Sequence, residues 1–260
     1  MKFSLLGSGS KGNSLYIESG KTSILIDAGF SGKELAKRLA LHGREMSDLD
    51  GLFLSHEHGD HIRGAGVISR RCKLPVHANE GTFKGSDRIV GKLHKRVEFE
   101  TGKGVQLKDL AIRPFRISHD TLDPVGFIIS DSKMSIACCT DLGKVSTLVA
   151  NKLMGCDALI LEFNHDPNLL KNGPYPLSLQ QRVRSSHGHL SNEDAASFLA
   201  TILHENLQVV LLAHLSETNN RSELALKSAA AVMKQEHRCQ LHVAAQDVPS
   251  DLFGLKPRAF

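Results

Sequence analysis

The chain has no tryptophan, two tyrosines and five cysteines in 260 residues, and each scarcity narrows what it can be. With so few large aromatic rings there is no ready platform for stacking successive bases, which counts against a dedicated sequence-specific RNA reader. None of the cysteines falls in a C-x-x-C pair, and adjacent Cys138 and Cys139 sit inside an apolar run. A disulfide framework is therefore not expected; the five thiols read as buried, in a reducing cytoplasm. Long hydrophobic runs are missing too. No stretch approaches the roughly 18 apolar residues of a spanning helix, and no membrane role is expected. The opening "MKFSLLGSGS" reaches glycine too soon for a secretory signal. The net charge of +4 permits an anionic partner without requiring one. There is no internal repeat, low-complexity tract or proline-rich linker, so one domain over residues 1–260 is expected, and 41% hydrophobic content suffices for its core.

What the chain does have is many short apolar or alternating runs. "KFSLLG", "SLYIES", "TSILIDAG", "GLFLSH", "LPVHA", "RVEFE", "LAIRPFRISH", "VGFIISD", "MSIACCTD", "DALILEF", "LQVVLLAH" and "QLHVAAQD" all read as strands. Helical patterns lie among them. "SGKELAKRLALHG" has a cap at Ser31 and a stop at Gly43; "SNEDAASFLATILHE" has a cap at Ser191 and an acidic first turn; "SELALKSAAAVMKQE" is a third. Few helices separate the earlier strands, whereas the later ones alternate with helices. That mixture predicts an α+β fold, a four-layer αββα sandwich, rather than a purely parallel doubly wound sheet.

Histidine is abundant, with 14 in the chain, and its placement is not random. The stretch "SHEHGDH", residues 55–61, follows the apolar "LDGLFL" and holds His56, His58, Asp60 and His61. Three further apolar runs end on a metal-competent side chain: "FRISH" at His119, "SIACCTD" at Asp141 and "VVLLAH" at His214. In a layered fold such strand ends gather on one rim, where loops carry function on a rigid support. Seven donors are too many for one tetrahedral ion and suit two divalent ions with a shared carboxylate and an open position for water. The nitrogen and oxygen donors suit zinc, manganese or iron.

These motifs resemble the metallo-β-lactamase fold over nearly the whole chain. The resemblance implies an αββα sandwich with a dinuclear site between its sheets. Carried over, His56, His58 and His119 would bind one metal; Asp60, His61 and His214 would bind the other, with Asp141 bridging. Asp27 of "ILIDAG" would orient the H-x-H-x-D-H ligands by hydrogen bonds. The third-motif stretch "SHDTLDPVGFII" is similar to the phosphodiesterase branch, in which His189 of "GHLSNEDAA" takes the place of an extra histidine. "GSGSKGNS", "LEFNHDPNLLKNGPYPLSLQQRVRSSHGHLSNEDAA" and "AHLSETNN" together resemble the YycJ/WalJ-type exonucleases. The segment between Asp141 and His214 is too short for a β-CASP insert. The resemblance implies a compact cytoplasmic 5′→3′ exonuclease on DNA, working on single strands or ends with a hydroxide activated by two metals; an oligomer is compatible with it.

On that reading His189 and Asp60 are the catalytic residues, with His189 protonating the leaving oxygen and His187 its rival. Ser10 and Asn13 of the glycine-rich turn are candidate substrate contacts, as are Asn164 and His165 beyond "DALIL" and Arg184. One residue among Glu162, Asn164, His165 and Asp166 is expected to orient His189. Lys171, Arg182 and Tyr175 would suit a single strand, and the basic stretch 84–108 could follow a nucleic-acid backbone or be plain solvated surface. His42, His77, His94, His204, His237 and His242 lack ligand spacing and read as structural or exposed. Two other functions remain open: a small-molecule phosphodiesterase or other hydrolase, and a non-catalytic metal-binding module.

Overall fold

The apolar runs pair into two seven-stranded sheets. The structure, a computed structural model, describes residues 1–233 and 239–257. In the first sheet β1 (Lys2–Gly7), β2 (Ser14–Glu18) and β3 (Ser23–Ile26) form an antiparallel meander. A parallel run of β4 (Gly51–Phe53), β5 (Pro75–Ala78) and β6 (Lys95–Glu98) continues it. The second sheet repeats the plan. There β7 (Val105–Leu107), β8 (Leu110–Arg116), β9 (Val125–Ser130) and β10 (Ser135–Cys139) meander, and β11 (Ala158–Glu162), β12 (Val209–Ala213) and β13 (Gln240–Val243) run parallel. A two-residue β14 (Phe253–Gly254) borders β1.

Parallel neighbours need crossovers, and these bring more helices into the first half than the sequence suggests. They are α1 (Gly32–Ala40), the single turn α2 (Gly59–Ile62), α3 (Ala65–Cys72) and α4 (Glu80–Val90). The expectation of few helices among the early strands is therefore corrected. The second half adds α5 (Thr147–Leu153), α6 (Pro167–Asn172), α7 (Leu177–Val183), α8 (Asn192–Ile202) and α9 (Ser222–Val232). The expected tail of α9 and His237 fall in 234–238, outside the described residues.

Three apolar layers hold the stack together, and single strands feed two of them. Ile24 and Ile26 of β3 enter the layer between the sheets, while Leu25 faces the helices. Val209, Leu211 and Ala213 of β12 likewise point inward, and Val210 and Leu212 outward. Alternate side chains of a strand point to opposite faces, so a strand buried on both reads as a continuous apolar run. Phe53 meets Phe127 edge-on across the sheets at 6.3 Å. Leu35 and Leu39 of α1, Ile68 of α3 and Phe83 of α4 cover the first sheet; Val149 of α5, Phe198 and Leu199 of α8 and Ala225 of α9 cover the second. The result is the expected αββα sandwich. Cys138, Cys139 and Cys156 are buried, whereas Cys72 and Cys239 are only partly so, against the expectation of five buried thiols. Among the described residues no helix is long and apolar enough to cross a membrane.

Candidate metal centre

The strand ends meet on one rim. Asp27 follows β3, His56 follows β4, His58 caps α2, and Asp60 and His61 lie within it; His119, Asp141 and His214 follow β8, β10 and β12. Asp27, Asp141 and His214 take left-handed backbone angles, with φ of 62°, 60° and 58°. Such angles are uncommon for residues with a Cβ and persist where surroundings enforce them. Here each backbone N–H is tied: Asp27 to the Phe53 carbonyl at 2.8 Å, Asp141 to Glu162 Oε1 at 3.2 Å, His214 to Ser8 Oγ at 2.9 Å.

Donor atoms of His56, His58 and His119 lie within 4.8 Å of one another, as do those of Asp60, His61 and His214. Asp141 stands between the two groups. Its Oδ2 is 3.3 Å from His61 Nε2, and its Oδ1 is 3.4 Å from His214 Nε2 and 3.8 Å from His119 Nε2. The outward nitrogens are occupied: His61 Nδ1 meets Asp27 Oδ2 at 2.8 Å, and His214 Nδ1 meets Glu162 Oε1 at 2.9 Å. Ser55 Oγ contacts His56 Nδ1 at 3.0 Å and donates to Asp27 Oδ2 at 2.7 Å. A carboxylate on one ring nitrogen puts the proton there and leaves the other lone pair facing inward. Meanwhile His56 Nε2, His214 Nε2 and Asp141 Oδ2 are buried with no hydrogen-bond partner. Buried polar atoms are ordinarily satisfied, so three unpartnered atoms spread over these adjoining donor groups fit divalent metal.

Charge tells the same story. Burial opposes a proton on His61, yet Asp141, Asp60 and Asp27 push its pKa up to about 9. His214 is likewise held well above the usual range, against burial, by Asp141, Asp60 and Glu162. His56, buried among other imidazoles, is held well below it. Asp60, Asp141 and Glu162 stay ionised despite burial, because the surrounding histidines lower their pKa values. The cluster therefore calls for positive charge, and cations binding there would displace protons from His61 and His214.

A family model described as "Beta-lactamase superfamily domain" matches residues 22–214. The exodeoxyribonuclease YycJ of Bacillus anthracis is 35% identical over 238 residues, covering 91% of this chain and 90% of its own. The exodeoxyribonuclease WalJ of Streptococcus pneumoniae is 39% identical over 228 residues, 86% of this chain and 85% of its own. The chain belongs to the YycJ/WalJ family of the β-lactamase superfamily. Among solved structures, the metallo-β-lactamase fold protein YhfI from Bacillus subtilis matches with a TM-score of 0.75 and 18% identity, over 96% of this chain and 99% of that one. That likeness speaks for the fold.

In this YycJ/WalJ family member a cavity of about 260 Å³ opens over the cluster, with His58, Asp60, Asp141 and His214 lining it. His189 lines it too; its Nδ1 meets Glu162 Oε1 at 2.8 Å. Of the four candidates for orienting His189, Glu162 is thus the one in contact. Its other oxygen accepts from the N–H groups of Leu142 and Leu190, at 2.8 and 3.1 Å, so it is fully engaged and ill-suited to ligate an ion. His187 is exposed and does not line the cavity.

The expected substrate contacts divide. Ser10 and Asn164 line the cavity. Asn13 does not: it is buried, donating from Nδ2 to Asp60 Oδ2 at 3.1 Å, which makes it a support for that carboxylate. His165 is buried behind the wall, where desolvation lowers its pKa to about 4. Arg184 follows α7, exposed and away from the cavity, whereas Arg182, two residues earlier, lines it alongside Tyr175. Asp120, next to His119, also lines it and escaped the sequence reading because nothing marks "SHD" beyond its histidine. The basic stretch 84–108 lies on α4, β6 and the turns after it, partly self-neutralised by Arg96 with Asp87 and Glu98 and by Lys103 with Glu100. His42 bonds Ser4 Oγ and His77 stacks on Phe53; His204 faces the Cys156 carbonyl and His242 packs by Phe253. His94 is exposed.

Proposed function

We propose that this chain is a metal-dependent phosphodiesterase that digests DNA from the 5′ end, on single strands or at ends being processed, in the cytoplasm. The observation that carries the reading is one carboxylate serving two imidazoles. Glu162 holds Nδ1 of His214, in the ligand cluster, at 2.9 Å and Nδ1 of His189, beside it, at 2.8 Å. A proton carrier is thereby fixed against a metal centre, as phosphodiester cleavage requires. The curated relatives bear the name exodeoxyribonuclease, which points to DNA.

His56, His58 and His119 would hold one divalent ion, and Asp60, His61 and His214 a second, with Asp141 shared between them. Zinc, manganese and iron all suit these donors. When bound, such ions neutralise phosphoryl charge and acidify water. The remaining work falls to the chain. Asp60, braced by Asn13, faces the cavity as an acceptor that can align the attacking water. As the phosphorus–oxygen bond breaks, its electron pair goes to the departing oxygen, which takes a proton from His189 Nε2. Glu162 holds the ring through Nδ1 for that transfer, and such general acids contribute about 10²–10⁴ in rate. Ser10 and Asn164 at the cavity wall are placed to contact the strand.

The test uses protein stripped of metal and reloaded separately with Mn²⁺ and Zn²⁺. Each form is given a 3′-labelled, 5′-phosphorylated single strand, and the products are sized over time. A ladder of shortening labelled fragments, absent from His58→Ala, is the expected result. An uncut strand under both metals would sink the nuclease reading.

A further inference from the structure

Four of the five clustered histidines have an outer nitrogen tied by a neighbour at 3.3 Å or less: His56 by Ser55, His61 by Asp27, His119 by the Gly188 carbonyl and His214 by Glu162. His58 is oriented differently. Its Nδ1 turns inward, 3.2 Å from His119 Nε2, and its Nε2 faces Asp120 Oδ1 at 3.7 Å, an oxygen that also lies 3.5 Å from His119 Nε2. The other oxygen of that carboxylate is taken. Arg182 donates to Asp120 Oδ2 from Nε at 2.7 Å, and its Nη2 lies 2.6 Å from the same atom.

This division of labour needs a reason. The Arg182 side chain is 61% exposed, and an ion pair so open to water contributes little to stability. Pinning α7 is therefore a weak account of it. A guanidinium has five N–H donors. Two engage Asp120; no partner is seen for Nη1 among the described residues, and Arg182 lines the cavity beside Tyr175 and Leu179. Planar, permanently charged and with donors to spare, this group suits a phosphate oxygen.

We propose that Asp120 is a positioning residue with two duties, holding His58 beside His119 at the edge of the cluster and holding Arg182 over the cavity, where Arg182 binds a backbone phosphate of the nucleic-acid strand. The second duty rests on the nuclease reading above. One side chain thereby links the metal end of the site to the substrate end.

Three variants of the full chain test this: Arg182→Gln, Asp120→Asn and the double substitution. Each is assayed for retained Mn²⁺ after dialysis against limiting metal, for kcat and KM on a single strand, and for the slope of log binding constant against log salt. Arg182→Gln should keep wild-type metal content. Its KM should rise about tenfold, as expected for one charge-assisted contact, and its salt slope should fall by about 0.7, the value of one phosphate contact on a single strand. Asp120→Asn should show the same KM change and also bind metal about 10–100-fold more weakly. The double variant should have a KM no higher than Asp120→Asn, because the two act as one unit. Unchanged KM and salt slope in Arg182→Gln, with wild-type protein still cutting the strand, would overturn the phosphate contact. Unchanged metal binding in Asp120→Asn would overturn the link to His58. Wild-type protein that cuts no strand overturns the nuclease reading and the Arg182 contact with it, while the metal measurement still decides His58.

Discussion

Glu162 is wholly buried, and its two oxygens accept from two imidazoles and from the backbone N–H groups of Leu142 and Leu190. Paired substitutions separate its duties. His189→Ala should retain full metal content and lose about 10²–10⁴ in kcat, the worth of a general acid. Glu162→Gln should lose activity comparably but also shed metal, since it frees His214; metal analysis beside steady-state kinetics distinguishes the two. The proposed ligand set was legible in the chain because each member either closes an apolar run or sits in the dense "HEHGDH" stretch. Asn13 was readable only as a polar residue in a glycine-rich turn. Its partner Asp60 is 47 positions away, a distance that no local pattern spans.

Strands were easier to read than helices for a physical reason. Every quoted apolar run became a strand; central strands such as β11 and β12 are buried on both faces, which demands unbroken hydrophobicity, and only the very short β7 and β14 were missed. Among helices, α1 and α8 were marked by Ser31 and Ser191, whose hydroxyls do accept from the N–H groups of Glu34 and Asp194. The helix α4 was hidden by Gly81 and Gly85. At Gly85 a Cβ would come within 2.5 Å of the Glu57 side chain, so close packing against the H-x-H loop overrides helix propensity. The chain beyond α1 is fastened to β2 by charge: Arg44 makes bonds of 2.6 and 2.8 Å to Glu18. Arg44, working against burial and helped by Tyr16, lowers the Glu18 pKa from 4.5 to about 2. A depressed carboxyl stabilises the fold fully above its unfolded value and loses that effect as pH falls through the folded one. Urea midpoints of the wild type should therefore drop between about pH 4.5 and pH 2 by more than those of Glu18→Gln.

At the scale of the whole molecule, the layer order was predictable, because meanders and crossover helices must cover both sheet faces. The repeated plan of the two sheets was not, since the halves share a path rather than residues. Asp27 and Asp141 show the kinship: each follows the last strand of a meander with φ near 60°. Each proposed metal triad draws on both halves, with His56, His58, Asp60 and His61 after β4 and His119 and His214 from the second sheet. Metal that binds only the native state stabilises it by about 2.7 kcal/mol at a hundredfold excess over Kd. Melting curves against Mn²⁺ should then rise by about 5–10 °C, given about 2–4 °C per kcal/mol at this size.

With ions in both proposed triads one half would be riveted to the other, and metal supply would govern the survival of this protein as well as its turnover. On that proposal a copy starved of ions would open more often along the seam between its sheets and meet a protease sooner. Scarcity would thin the enzyme's numbers rather than leave an idle pool awaiting reactivation.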